Sequence, residues 1–168
     1  MAEPSKAPAK ADELVIERVF DAPRELVWKA WTEPEAMMQW WGPKGYTTPH
    51  SEMDLRVGGK WLSCMRSPEG QDIWGVGVYQ EIVPLERIVT TDSFADEHGN
   101  VVPASHYGME GDFPLEMLIT VTLEDLAGGK TKMTLRHSGL PAGEHQAGAN
   151  QGWSESLDKL EEYLASVA

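Results

Sequence analysis

The sequence predicts an α+β fold: a curved antiparallel sheet of about six to seven strands around a long C-terminal helix, with two short helices after the first strand. Three observations carry this reading. First, Trp153, Leu157, Leu160, Leu164 and Val167 recur at steps of four, three, four and three, which puts them on one face of a helix. Second, the middle of the chain holds a succession of apolar and β-branched runs separated by short Gly- and Pro-containing turns, which join antiparallel neighbours. Third, 168 residues suffice for one domain burying roughly 70% of its unfolded surface, with no need of a disulfide or metal staple.

Taken in order, residues 1–12 are rich in Ala, Pro and Lys and are expected to be a disordered tail ahead of a single domain, 13–168. Leu14 to Phe20 is the first strand. Asp21-Ala22-Pro23 opens a helix whose apolar stripe is Leu26, Val27, Ala30 and Trp31. Thr32-Glu33-Pro34-Glu35 has the pattern of a capping box and starts a second helix, which Trp40-Trp41-Gly42-Pro43 ends. Strands are predicted at 46–55, 60–67, 72–83, 87–94, 115–126 and 130–138. The final helix must bury its stripe, and the sheet is the available partner. The long segment Ala95 to Pro114 has little periodicity and is positioned to act as a flap.

Alternation sets the faces. Met117, Ile119, Val121 and Leu123 should point towards the final helix, as should Met133, Leu135 and His137. Trp61, Ser63 and Met65 alternate with Lys60, Leu62, Cys64 and Arg66, and Trp74, Val76 and Val78 with Gly75, Gly77 and Tyr79; neither pair has a plainly polar face. The inward set is rich in Trp and Met, and Met suits irregular space and varied partners. A bent sheet around one helix need not close completely. The expected cavity is lined by Trp61, Met65, Trp74, Met117, Ile119, Met133, Leu135, His137 and Trp153, with His106 on the flap. Polar groups that could orient a ligand there are His50, Glu52, Ser63, His106 and His137.

Composition narrows the function. Against 27 Asp+Glu stand 14 Lys+Arg, a net charge of −13, which argues against nucleic acid and anionic membrane surfaces. A lone Cys64 fits a reducing compartment and excludes a Cys-cluster zinc site. With no signal-peptide h-region and no membrane-length apolar run, a soluble cytoplasmic protein is expected. Gly128-Gly129-Lys130-Thr131 resembles the end of a phosphate-binding loop, but a strand follows it, so it reads as a hairpin turn. Gly75-Val76-Gly77 has Gln80 where a dinucleotide fingerprint needs its third glycine. No Gly-x-Ser-x-Gly elbow exists, Cys64 reads as a buried apolar residue, and Asp96-Glu97-His98 reads as loop charge. No cofactor and no metal are expected.

Arg18 to Pro23 with Trp28, then Trp40-Trp41-Gly42-Pro43, Asp54-Leu55-Arg56-Val57-Gly58-Gly59, and Gly152-Trp153 with Leu157, Leu160 and Leu164 together resemble one family. It is the group similar to the C-terminal domain of the activator of the 90-kDa heat-shock protein ATPase, within the START/Bet v 1-like (SRPBCC) superfamily. The resemblance spans about residues 13–167. It implies a helix-grip fold, commonly enclosing an elongated apolar cavity for a lipid-like, polyketide-like or other small hydrophobic ligand. It supplies no catalytic set to carry over. The Asp54-Leu55-Arg56 stretch with its two glycines reads as structural, Arg56 pairing with a nearby carboxylate.

The sequence therefore leads to a small-molecule binding protein without catalysis. One alternative is a cyclase or dehydratase in which His106, His137, Tyr79 or Glu52 moves protons. Another is a module acting on a chaperone ATPase, steered by its acidic surface. The eukaryotic co-chaperone has a further N-terminal domain where this chain has twelve residues, which points away from that role. Oligomeric state is not legible in the sequence.

Overall fold

The computed structural model describes residues 13–109, 113–141 and 143–167. The expected tail, residues 1–12, lies outside the described residues, as does part of the proposed flap.

Seven strands form one antiparallel sheet: β1 (Glu13–Phe20), β2 (Thr47–Met53), β3 (Lys60–Arg66), β4 (Asp72–Val83), β5 (Arg87–Ala95), β6 (Met117–Leu126) and β7 (Lys130–Ser138). Their order is β1-β7-β6-β5-β4-β3-β2. All pairings but β1–β7 join strands consecutive in sequence, as the short turns predict. Helices α1 (Arg24–Thr32) and α2 (Pro34–Trp40) follow β1, and α3 (Glu144–Val167) ends the fold. Register shifts at Tyr79/Glu81 in β4 and Thr47/His50 in β2 are bulges, which increase local twist and help bend the sheet.

The turns behave as their residues require. Gly128 and Gly129 both adopt positive φ between β6 and β7, confirming a hairpin. β2 stops at Met53 because the chain turns at once: the Arg56 N–H donates to the Asp54 carbonyl, and Arg56 Nε donates to Asp54 Oδ2 at 2.8 Å. A Cβ on Gly59 would lie 2.0 Å from the Asp54 carbonyl oxygen, so this turn needs glycine there.

Helix starts differ from the sequence reading. Pro23 is the N-cap of α1 and Glu33 that of α2, neither making a side-chain cap hydrogen bond. The capping box fails because Thr32 is still in the last turn of α1. Its hydroxyl donates back to the Trp28 carbonyl at 2.8 Å instead.

The core lies between the C-terminal half of α3 and β1, β6 and β7. Leu157 and Leu160 are fully buried, with Leu164 nearly so, against Phe20, Val27, Met133 and Leu135. Each such leucine contributes about 1.5–3 kcal/mol by leaving water. Val167, in phase with this stripe, is 45% exposed at the helix end. At the other end of the core, Trp31, Trp40, Trp41 and Trp153 form a cluster with ring centroids 4.9–6.2 Å apart. That cluster ties α1, α2 and the chain after α2 to α3.

Candidate functional site

A cavity exists because of where large and small side chains fall along α3. Its C-terminal half carries the leucines that reach the sheet. Ahead of them it presents Gly148, Ala149, Gly152 and Ser156, which are too short to do so. The space left is about 440 Å³, within the range of small-molecule sites.

The sheet wall comes from inward-facing residues of β3 to β7. Trp61, Ser63 and Met65 of β3 pair in register with Gly77, Gly75 and Ile73 of β4. The two β4 glycines are a seat for the Trp61 indole: a Cβ on Gly77 would lie 2.3 Å from Trp61 Nε1. That indole N–H donates to Thr90 Oγ1 at 2.7 Å, so Trp61 is fixed on both sides. Phe94, Met117 and His137 extend the wall across β5, β6 and β7.

The opposite side is the turn from Trp41 to Tyr46, which Gly42 enters at φ +97°. Lys159 of α3 holds this turn, its Nζ lying 2.9 Å from the Gly42 carbonyl oxygen and 3.2 Å from that of Tyr46. Partial burial lowers the Lys159 ammonium below its ordinary range, and the carbonyls supply acceptors in place of water. Arg18 and Lys44 brace the same region through Asp158, at 2.8 and 3.2 Å, and hold its carboxyl below the usual range.

The half-buried Met109, Phe113 and His145, with exposed Gly148, form the rim. The Phe113 and His145 rings meet at 4.7 Å, which joins the 96–116 segment to α3. That segment is anchored at its base by Tyr107, whose hydroxyl donates to the Ala95 carbonyl and accepts the Trp74 N–H.

Three polar groups meet at one place on the wall, Asp92, His137 and the Trp153 indole nitrogen. Trp153 Nε1–H donates to His137 Nδ1 at 3.1 Å. Indole nitrogen is a donor only, so Nδ1 carries the lone pair and the ring proton sits on Nε2. Nε2 lies 3.0 Å from Asp92 Oδ2. Although close, this contact is off the hydrogen-bond line, and buried Nε2 has no aligned acceptor. The Asp92 side chain is 20% exposed and borders the cavity beside Met117, its partner across β5 and β6.

Among the ten residues predicted from sequence, Trp61, Met65, Trp74, Met117, His137 and Trp153 border this cavity. Trp74 does so from a strand position whose side chain belongs to the other face: it pairs with Cys64, and its ring lies 5.6 Å from that of His50. Ile119 borders a separate space of about 40 Å³, together with Tyr79, Trp31 and Glu52, which has room for little more than water. Met133 and Leu135 are completely buried in the core and border neither. His106 is exposed on a short 3-10 helix, Ala104–Tyr107, away from both.

The suggested proton-moving set is not assembled. His137 borders the large cavity, Tyr79 and Glu52 the small one, and His106 neither. Burial drives the Tyr79 phenol well above its ordinary value, and Glu52 is paired with His50. Burial also pushes the Cys64 thiol up, the wrong direction for a nucleophile. Asp96 accepts the His98 and Asn100 N–H groups, both at 2.9 Å, as a loop residue would. Among the described residues, no group of three or more His, Cys, Asp or Glu is arranged to hold a metal.

Sequence reasoning missed Trp41, His145 and above all Asp92. Asp92 is in phase with Ile88 and Phe94 on β5, and that phase marks it as inward-facing.

Comparison with known proteins agrees with the fold. A crystal structure of a protein from Nitrosomonas europaea is 25% identical, with a TM-score of 0.77 over 95% of this chain and 97% of that one. One from Chromobacterium violaceum is 30% identical, with a TM-score of 0.76 over 92% and 98%. The AHSA1 protein from Silicibacter pomeroyi is 25% identical, with a TM-score of 0.73 over 93% and 99%. A search of curated proteins returns no match. No helix among the described residues is long and apolar enough to cross a membrane. The family model described as "Activator of Hsp90 ATPase homolog 1-like protein" matches residues 21–165, and with its helix-grip sheet and C-terminal helix the chain belongs to that family.

Proposed function

We propose that this protein binds a small hydrophobic molecule, lipid- or polyketide-like, in the cavity between the sheet and the first half of α3, without transforming it. The observation that carries the reading is the 440 Å³ space itself, walled by Trp, Met and Phe side chains and bordered at one place by Asp92 and His137. In this reading residues 13–168 act as one cytoplasmic domain. Trp61, Met65, Met117 and Trp153 contact the apolar body of the ligand, and the segment bearing Met109 and Phe113 acts as its lid. Beyond the cavity, the leucines of α3 close against the sheet.

Native mass spectrometry of freshly purified protein, with a thermal-shift screen of long-chain alcohols, fatty acids and aromatic polyketides, tests this. A ligand that binds only the folded state adds about 2.7 kcal/mol at a hundredfold excess over its Kd, so at least one class should raise Tm by several degrees. Absence of both an adduct and any shift would overturn the reading.

A further inference from the structure

We infer that the ligand of this cavity carries a hydrogen-bond donor at its polar end, an alcohol or an amine, and that the site discriminates against carboxylic acids. The inference rests on the binding reading above and specifies its chemistry. Among the described residues that border the cavity there is no Lys or Arg, and the single carboxylate is Asp92. Lys159 has its ammonium spent on the carbonyls of the Trp41–Tyr46 turn, and Lys44, within that turn, pairs with Asp158 at 3.2 Å. An acid entering this space would bring a second negative charge with no fixed cation to meet it, in surroundings where unpaired charge is costly.

The arrangement behind Asp92 fixes its role. His137 accepts from Trp153 through Nδ1, so at this contact it is a neutral imidazole with its proton on Nε2 facing Asp92. The histidine therefore lies beside the carboxylate without neutralising it. The carboxylate is an acceptor only, partly exposed, and its close contact with Nε2 is too far off line to satisfy it. A ligand hydroxyl or ammonium supplies the missing donor. The aromatic walls, with Trp41, Trp61 and Phe94 bordering the same space, accept either an alkyl body or an organic cation. The strongly acidic surface, net charge −13, also disfavours anionic ligands on approach.

Calorimetric titration of the full chain at pH 8, above the ordinary histidine range, with 1-decanol, decylamine and decanoate separates the cases. The alcohol, the amine or both should bind at least tenfold more tightly than the acid. Asp92→Asn, checked for folding by its melting curve, should bring the acid within about threefold of the others. Asp92→Ser serves the same purpose if the amide variant melts early. Acid binding as tight as the best donor, or a preference unchanged in both variants, overturns the inference while leaving the cavity a binding site. Failure of all three probes, together with an empty thermal-shift screen, removes the binding reading itself.

Discussion

Trp61 lies flat across β4 because Gly75 and Gly77 put nothing beneath it, and Thr90 holds its indole nitrogen. Replacing Gly77 by Ala places a Cβ 2.1 Å from the Thr91 carbonyl oxygen as well as against the indole. Urea melts should show a loss of about 1–3 kcal/mol, the ordinary cost of overpacking, and a shifted tryptophan emission. A variant as stable as the parent would contradict this account of the glycine. Tyr79 makes a second residue-level prediction. Burial raises its phenol above the ordinary value of 10.0, so above pH 10 the unfolded chain releases this proton before the folded one does. Its contribution is thus fully present below pH 10 and is lost as pH rises, by at most about 1.4 kcal/mol per pH unit. Tyr79→Phe should lose less stability between pH 9 and pH 11 than the parent, as read from urea midpoints; equal losses would count against it. At this scale the sequence was legible where one face of a strand was plainly apolar, as at Met117 and Ile119. It misled at Trp74, since β4 is apolar on both faces and the glycines that seat Trp61 carry no side chain to mark the inside. It hid Asp92 although its phase with Ile88 and Phe94 points inward, because an acid on a strand ordinarily reads as solvated.

Helix α3 is two helices in function. Leu157, Leu160 and Leu164 seal the core with the C-terminal half, while the small Gly148, Ala149, Gly152 and Ser156 leave space ahead of them, on either side of the Trp153 contact with His137. A Cβ on Gly148 meets nothing within 4 Å. Gly148→Ala should therefore stabilise the fold by about 0.5–1 kcal/mol through helix propensity, whereas Leu157→Ala should cost about 2–5 kcal/mol. Denaturant melts of the two variants check both; a destabilised Gly148→Ala would mean that the glycine serves close packing after all. The amphipathic spacing disclosed the sealing half plainly, and the strand boundaries lay within a few residues of those observed. The open half was not legible, since small residues in a helix are equally compatible with tight packing. Nor was the hold of Lys159 on the Trp41–Tyr46 turn, because a lysine on a mixed helix face reads as solvated until the turn is placed beside it.

For the whole molecule, bending the sheet around one helix creates a concave face longer than the leucine stripe that fills it. The fold class followed from the order of elements and the short turns between them. The volume left inside did not, since alternation gives the direction of side chains and says nothing of how far apart the layers stand. The Trp cluster at the end of the core fixes that separation from one side, and the Lys159 and Asp158 contacts from another. A cavity held open by such supports, rather than by loose packing, can be filled without harm to the fold. Ala149 borders it from α3, and Ala149→Phe adds a ring directed into that space. The most direct measurement is a calorimetric titration of 1-decanol into the parent and into Ala149→Phe, with melting curves of both. The account predicts one molecule bound per chain in the parent, at least tenfold weaker binding in the variant, and a melting temperature no lower. Undiminished binding by the filled variant would contradict it.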